Sequence, residues 1–557
     1  MSPAFLPTSD DGFVFPRELQ SHRSLRVLPL WRSWGSSGSK FNNIPLVIRR
    51  AGRQRFQPPT RGKPAFTYTR DERSDRPSFH ACRQSRHNTA PVTFRFFTRL
   101  PVAPGDPLTE PLSARLSATP IRPSACPGLL RIVPAMDGGI CRIKLPGGLI
   151  TADQALAVAQ AAERFAGGVI EATNRGNLQI RGIGTDHDGL IASLLDAGLG
   201  PGNPASDDVR NLMLSPTAGL DPQQLLDVRP LAGQILHTLE HHPRFHELSP
   251  KFALSLDGGE GLAMLEHPHD LWLSAMCIDG QTLLGFGLAG CPANDSPLAA
   301  VAPEAAHALV VAVLETFLDL ARPEHARMRD LLKEVPVVRF MEHVAARFAQ
   351  PLWVNQDITG WRREPIRPLA RLGTYAQAQH GVVAIGAAVP LGRMGPSMLR
   401  EAARLACAYG DGQLCMTPWQ SLTLRNVAME NSLAVTNGLS KAGLLADANA
   451  SLARMIACTG SAACAKGLAD TKADALRLAA LLQNNTTRQT VHLSGCRRSC
   501  AAAHIAPVTL LAASPGRYDL YFRHADAAGF GDLHARDLTI DAVGALLTAD
   551  SRSNTND

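Results

Sequence analysis

The sequence predicts an α+β fold with an internal pseudo-twofold. Three observations carry this: a long segment that recurs at constant offset, strand and helix periodicities within each copy, and a paired cysteine run after the second copy. The first copy starts at Gly138 and reads GGICRIKLPGGLITADQALAVAQAAERFAGGVIEATNRGNLQIRGI. The second starts at His380 and reads HGVVAIGAAVPLGRMGPSMLREAARLACAYGDGQLCMTPWQSLTLRNV. At an offset of 244 residues and without a gap, Pro146 matches Pro390, Gly148 matches Gly392, Thr173 matches Thr417, Leu178 matches Leu422 and Arg181 matches Arg425.

Each copy reads as strand, Pro/Gly turn, helix and strand. The helix follows from Ala155, Val158, Ala159 and Ala162, spaced to share one face. The last strand follows from alternation: Leu178 and Ile180 face one way, and Arg175, Asn177, Gln179 and Arg181 the other. The copies differ in chemistry. The first carries Arg142, Lys144, Asn174 and Arg175, where the second has Ala384, Ala388, Pro418 and Trp419 near the corresponding places.

A length of 557 residues corresponds to roughly three or four domains. The 45% hydrophobic content excludes a collagen or a wholly disordered chain. No apolar run approaches the roughly 18 residues that a membrane helix needs. The best, Ala308 to Leu314, is closed by His307 and Glu315, so no membrane partner is expected. The net charge of +7 is unevenly placed: residues 1–118 hold 19 Lys/Arg and 8 Asp/Glu, and the remainder holds 37 and 41. A basic balance confined to one end is poor evidence for a nucleic-acid partner, and none is expected. Residues 1–118, rich in Arg, Ser and Pro, are expected to be a disordered basic leader, such as a mis-called start would add; a transit peptide and a basic interaction tail are the alternatives. Without a charged segment leading into an apolar signal core, a cytoplasmic setting is expected.

The run ACTGSAACAKG and the later SGCRRSC space four cysteines as Cys-x5-Cys-x31-Cys-x3-Cys: Cys458, Cys464, Cys496 and Cys500. Thiolates are soft ligands that select iron–sulfur clusters or zinc. Structural zinc sites favour shorter cysteine knuckles, so a [4Fe-4S] cubane is the preferred reading. A helix over Lys472 to Leu482 and a strand over Thr490 to Leu493 would bring the two pairs together. The small residues Gly460, Ser461, Ala462, Ala463 and Gly495 let backbone N–H groups approach sulfur. The other cysteines are scattered and suggest no disulfide scaffold.

The cysteine spacing, the PGG turn after RIK, the TNRGNLQ segment and the duplication together resemble the sirohaem-dependent nitrite and sulfite reductases. The resemblance covers about residues 122–540. Within that superfamily, CPGLLRIVPAMDGGICRIKLPGG and IEATNRGNLQIRG look most like the precorrin-3B synthases of aerobic cobalamin synthesis. It implies a duplicated nitrite/sulfite reductase-like α+β fold: ferredoxin-like half-modules at residues 119–185 and 356–430, larger α+β lobes at 186–355 and 431–545, and a tail at 546–557. It implies that Cys458, Cys464, Cys496 and Cys500 hold the [4Fe-4S] cluster, with Cys500 reaching sirohaem iron in the reductases. It also implies that Arg142, Lys144, Arg175, Gln179 and Arg181 lie over a tetrapyrrole, with Lys251 as a further carboxylate clamp. The chemistry agrees, since a macrocycle with up to about eight carboxylates needs Arg and Lys partners. For Arg181 a structural role is the alternative, because Arg425 repeats it.

By resemblance, the reaction is oxygen-dependent conversion of precorrin-3A to precorrin-3B: hydroxylation at C20 with a lactone from the ring A acetate to C1. NADH electrons would arrive through a separate reductase or ferredoxin, since no dinucleotide fingerprint is evident. The alternative is an assimilatory nitrite or sulfite reductase with sirohaem as cofactor; an electron carrier would need far less chain. Two departures bear on the choice. The reductases carry a Lys-x-Lys pair where this chain has Lys251 and Ala253, and GCRRSC places Arg497 and Arg498 where they commonly have Pro-Asn. The resemblance further implies a mononuclear non-haem iron. The run HTLEHHPRFHE, with His237 and His241 at i, i+4 and Glu240, His242, His246 and Glu247 nearby, is a candidate for it, against the plainer reading of a solvated helix end.

Overall fold

The turns and caps that mark the repeat are present in both copies. In a computed structural model describing residues 126–364, 366, 369–483, 489–523 and 529–553, the first copy comprises β1 (Val133–Ala135), β2 (Gly138–Ile143), β3 (Leu149–Thr151), α1 (Ala152–Phe165), β4 (Val169–Ala172), β5 (Leu178–Ile183) and α2 (His187–Asp196). The proposed leader lies outside the described residues. Between β2 and β3 the chain reverses at Pro146–Gly148, with Gly148 at φ +76°; a Cβ there would lie 2.0 Å from the Met416 carbonyl oxygen. Only glycine fits such a place. Helix α1 opens with a reciprocal capping box between Thr151 and Gln154, and its buried face is the predicted Ala155, Val158, Ala159 and Ala162. The predicted closing strand is instead a hairpin: β4 and β5 flank a turn at Thr173–Gly176, because Gly176 takes a positive φ and Thr173 Oγ1 accepts from the Arg175 and Asn177 N–H groups. Arg175 therefore sits on the turn, not on the strand face of Gln179.

The first lobe holds β6 (Leu212–Leu214), α3 (Arg229–His241), β7 (Leu254–Asp257), β8 (His269–Ile278), β9 (Gln281–Gly290), β10 (Ala299–Val301), α4 (Ala306–Leu320) and α5 (Val337–Arg347). The second copy supplies β11 (Gly373–Ala376), β12 (Val382–Ala388), β13 (Arg393–Met394), α6 (Pro396–Tyr409), β14 (Gln413–Thr417), β15 (Ser421–Ala428) and α7 (Ser432–Lys441). The cysteine lobe follows with β16 (Met455–Ala457), α8 (Thr471–Leu481), β17 (Val491–Ser494), β18 (Val508–Ser514), β19 (Arg517–Phe522), β20 (Asp532–Leu538) and α9 (Ile540–Ser553). Among the described residues no helix is long and apolar enough to cross a membrane.

The half-modules exchange strands. The first sheet runs β1-β2-β5-β4-β13 and the second β11-β12-β15-β14-β3, so each copy lends its short post-turn strand to the other's edge. One apolar core spans both, joining Ile143, Leu178 and Ile180 to Ile385, Leu422 and Leu424. Leu190 and Leu194 of α2, and Val435 and Leu439 of α7, belong to it, so that core continues past residues 185 and 430. The lobes repeat one another as well. Sheets β6-β7-β8-β9-β10 and β16-β17-β18-β19-β20 share one order, parallel for the first three strands and antiparallel for the last two. The segment set apart as a tail from residue 546 is helical through Ser553, because Leu547 is buried in the cysteine-lobe core.

At the junction of these parts lies Glu171, on β4 and 8% exposed. Arg393 of β13 donates to its Oε1 at 2.8 and 3.2 Å, and Arg181 of β5 and Lys472 of α8 approach within 3.8 and 3.9 Å. Removing one partner from a buried ionic group strands the others. Glu171→Ala should therefore lower the unfolding free energy by about 3 kcal/mol, read from urea transitions. A loss below roughly 1 kcal/mol, the range of an exposed pair, would deny the carboxylate this role.

Candidate metal centre and tetrapyrrole cleft

Strands β16 and β17 are parallel neighbours, so the loops that leave their ends emerge side by side. Cys458 directly follows β16, and Cys496 lies two residues past β17. The Gly495 N–H donates to Cys458 Sγ at 3.2 Å, and Thr471 Oγ1 lies 3.4 Å from that sulfur. The loops pack through glycine: a Cβ on Gly467 would stand 2.5 Å from the Gly460 carbonyl carbon. Cys464 and Cys500 occupy the exposed side. Desolvation, then the fields of Cys496, Cys458 and Cys464, push the Cys500 thiol up to about 11. Four free thiols thus share one field, with an N–H already aimed at sulfur. Among the described residues no three His, Cys, Asp or Glu side chains close on a single ion. Four soft thiols carried on two glycine-packed loops, with a backbone N–H on one sulfur, fit an iron–sulfur cluster. The corresponding strand ends of the first lobe carry Ser215 and Gly259.

The first-copy hairpin rests on these loops. Asn174 donates to the Cys500 carbonyl at 3.3 Å and Arg181 to that of Ala463 at 3.4 Å. Beside the contact lies a cationic group. The Arg142 guanidinium donates to the Gln179 amide oxygen at 2.8 and 3.1 Å, a neutral partner that leaves its charge uncompensated. Burial lowers its pKa, opposed by Cys126, Cys500 and Cys141. Arg175 makes no side-chain hydrogen bond or ion pair among the described residues. It is lowered to about 10, by burial first, then by Arg327, with Asp270 opposing and Arg142 and Arg329 adding to the effect. Clustered guanidiniums of this kind suit a polycarboxylate.

The other expected residues divide differently. Lys144 is buried and donates to the Asp207 carbonyl oxygen, so it is not a free carboxylate clamp. Arg181 is held by Asp137 at 2.9 and 3.0 Å, a contact that its structural alternative would make. Lys251 is exposed in the turn before β7, and no described contact ties it to Arg142 or Arg175. The histidine run is a helix end: His237 and His241 stack with centroids 4.1 Å apart, His242 stacks on Phe245, and Glu240 pairs with Arg210. With those contacts made, it offers no ligand set for a mononuclear iron. Sequence reasoning missed Arg327, Arg329, His267, His269 and His504. The spacings ARMR and HPH, which put like groups on one side, were the available signal.

Two predictions follow from this geometry. Cys464→Ser or Cys500→Ser should strip iron and sulfide and the visible cluster absorption, whereas Cys415→Ser, at a buried thiol in the half-module sheet, should leave them intact. Desolvation also lowers Lys144 from the ordinary 10.5 to about 8, with Asp207 opposing. The unfolded chain then binds more protons between those values, so this contribution to stability is full above about pH 10.5 and is lost as pH falls toward 8. Lys472 behaves likewise. Urea midpoints should rise across that window, and Lys144→Met should shrink the rise; an unchanged rise would mean that Lys144 keeps its ordinary value.

Comparison with known proteins agrees with this architecture. The nitrite and sulphite reductase 4Fe-4S domain matches residues 205–352, and the nitrite/sulfite reductase ferredoxin-like half domain matches 134–197 and 375–442. The first match falls on the lobe that lacks the four clustered cysteines. Zea mays chloroplastic ferredoxin–nitrite reductase is 30% identical over 394 residues, covering 66% of this chain and 68% of that protein. A Synechococcus elongatus ferredoxin–nitrite reductase is 29% identical, covering 67% and 76%. A Sinorhizobium precorrin-3B synthase is 27% identical over 405 residues, covering 71% and 82%. The solved Mycobacterium tuberculosis NirA protein shares the fold, with a TM-score of 0.62 at 21% identity over 74% of this chain and 80% of that one.

Proposed function

The chain belongs to the nitrite and sulphite reductase family, and on that premise we propose that it is an oxidoreductase converting precorrin-3A to precorrin-3B with O2. The observation that carries the reading is a pair of cations with no ion pair among the described residues, Arg142 on β2 and Arg175 on the hairpin whose Asn174 touches the Cys500 loop. They would grip carboxylates of the macrocycle beside the cysteine loops, and Gln179 would hold Arg142 in place. The four cysteines would hold a [4Fe-4S] cluster, which supplies single electrons when bound. One oxygen atom enters at C20, with the ring A acetate closing a lactone on C1. The other leaves as water, taking two electrons and two protons. NADH would supply the electrons through a separate reductase or ferredoxin; the exposed Arg497 and Arg498 beside Cys496 suit an acidic donor.

Position 253 supports this choice. Where the reductases have their second lysine, Ala253 is buried and its N–H donates to Asp270 at 2.8 Å, so position 253 offers an oxyanion no ammonium. The Sinorhizobium precorrin-3B synthase is also matched over most of its length. The second reading, a sirohaem nitrite or sulfite reductase, draws on the plant and cyanobacterial relatives at similar identity.

An absorption spectrum with iron and sulfide analysis on anaerobically purified protein separates the two. A cluster spectrum without chlorin bands, followed by turnover of precorrin-3A with O2, is expected. Stoichiometric sirohaem with nitrite or sulfite turnover would overturn the first reading and establish the second. Arg142→Gln and Arg175→Gln should each weaken tetrapyrrole binding about tenfold or more, as loss of a charge-assisted hydrogen bond does, with cluster iron unchanged.

A further inference from the structure

Whichever macrocycle reaction the cleft performs, it consumes protons, and the arginines around it cannot release them. The neighbouring imidazoles can. His267, in the loop before β8, and His504, beyond Cys500, meet across 237 residues of chain: His267 Nε2 and His504 Nδ1 are 3.0 Å apart, with the rings 25° from parallel. One of these nitrogens carries the hydrogen and the other accepts it. His269 Nδ1 donates to the His267 carbonyl at 2.8 Å, so its Nε2 holds a lone pair when the ring is neutral. That nitrogen and His267 Nδ1 are buried with no hydrogen-bond partner among the described residues, and both rings feel the charge of Arg175. His504 is only partly buried.

We propose that His504 and His267 form a two-imidazole proton path from solvent to the cleft beside Arg175. A proton leaves His267 Nδ1, the shared proton shifts from His504 Nδ1 to His267 Nε2, and a solvent proton arrives at His504 Nε2. No electron moves, and both rings end neutral with their tautomers inverted. Burial keeps the rings neutral at rest, aided by Arg523 and Arg371 around His504, where Glu266 opposes them and His492 also faces the ring, and by His269 and Arg175 around His267. A neutral imidazole, which accepts at one nitrogen while donating from the other, is the form such a path needs.

This inference rests on the reading that the cleft carries out a proton-consuming reduction, and its test separates the two. His267→Gln and His504→Gln, loaded with cluster, are compared with wild type. Uroporphyrin, an octacarboxylic tetrapyrrole, reports cleft binding by fluorescence quenching. Precorrin-3A with O2 reports turnover in water and in D2O. Turnover should fall about tenfold or more with a larger solvent isotope effect, uroporphyrin affinity should stay within about twofold, and imidazole should restore His267→Ala. Turnover that holds, or that falls only in step with uroporphyrin affinity and resists imidazole, overturns the path. If wild type turns over no substrate, the functional reading fails, and infrared difference spectra on cluster reduction decide the path alone. Imidazole ring bands that shift in wild type and vanish in both glutamine variants support it; bands that do not move refute it.

Discussion

One buried carboxylate ties the architecture together. Glu171 draws cations from β5, β13 and α8, which belong to the first half-module, the second and the cysteine lobe. Lys472 carries the constraint onward. Its ammonium also donates to the carbonyls of Leu391, in the left-handed turn of the second copy, and Ala457, the residue before Cys458. The place of the first cluster thiol is thus fixed by a charge that sits in another part of the chain. Burial costs such a group dearly unless every partner is present, so the junction favours one relative placement of the three parts.

Duplication supplies the frame, and divergence supplies the chemistry. Both half-modules bury an ion-paired arginine at the same repeat position, Arg181 with Asp137 and Arg425 with Asp411. That shared arginine belongs to the fold, although its aspartate partner comes from a different turn in each copy. Residues present in one copy only, Arg142 and Arg175, lie toward the Cys500 loop. The lobes follow the same logic, with thiols after the strands of one sheet and Ser215 and Gly259 after those of the other. In each duplicated pair, one member carries cations or thiols that its counterpart lacks.

The half-module duplication was legible because its Pro-Gly turns tolerate little change: a Cβ at Gly148 collides with backbone. The lobe duplication was not, since alternating apolar strands leave no such fixed points. The cysteines were legible from spacing. The hairpin was misread because a period of two continues through Thr173–Gly176, and only the positive φ of Gly176 breaks the strand. Lys144 and Arg181 were assigned by resemblance and charge, and neither shows that a backbone carbonyl and Asp137 already hold them. The arginines at 327 and 329 and the paired imidazoles come from separate regions of sequence, and only the folded chain assembles them.

The exchanged strands carry a cost during synthesis. β4 waits for β13, so the edge of the first sheet stays bare while about 220 further residues leave the ribosome, an interval of roughly 10 to 45 s. An unpaired edge over an unfinished apolar core is a template for wrong pairing. Chaperone cover during that interval, more than the stability of the finished molecule, would then govern the yield of this protein in a foreign host.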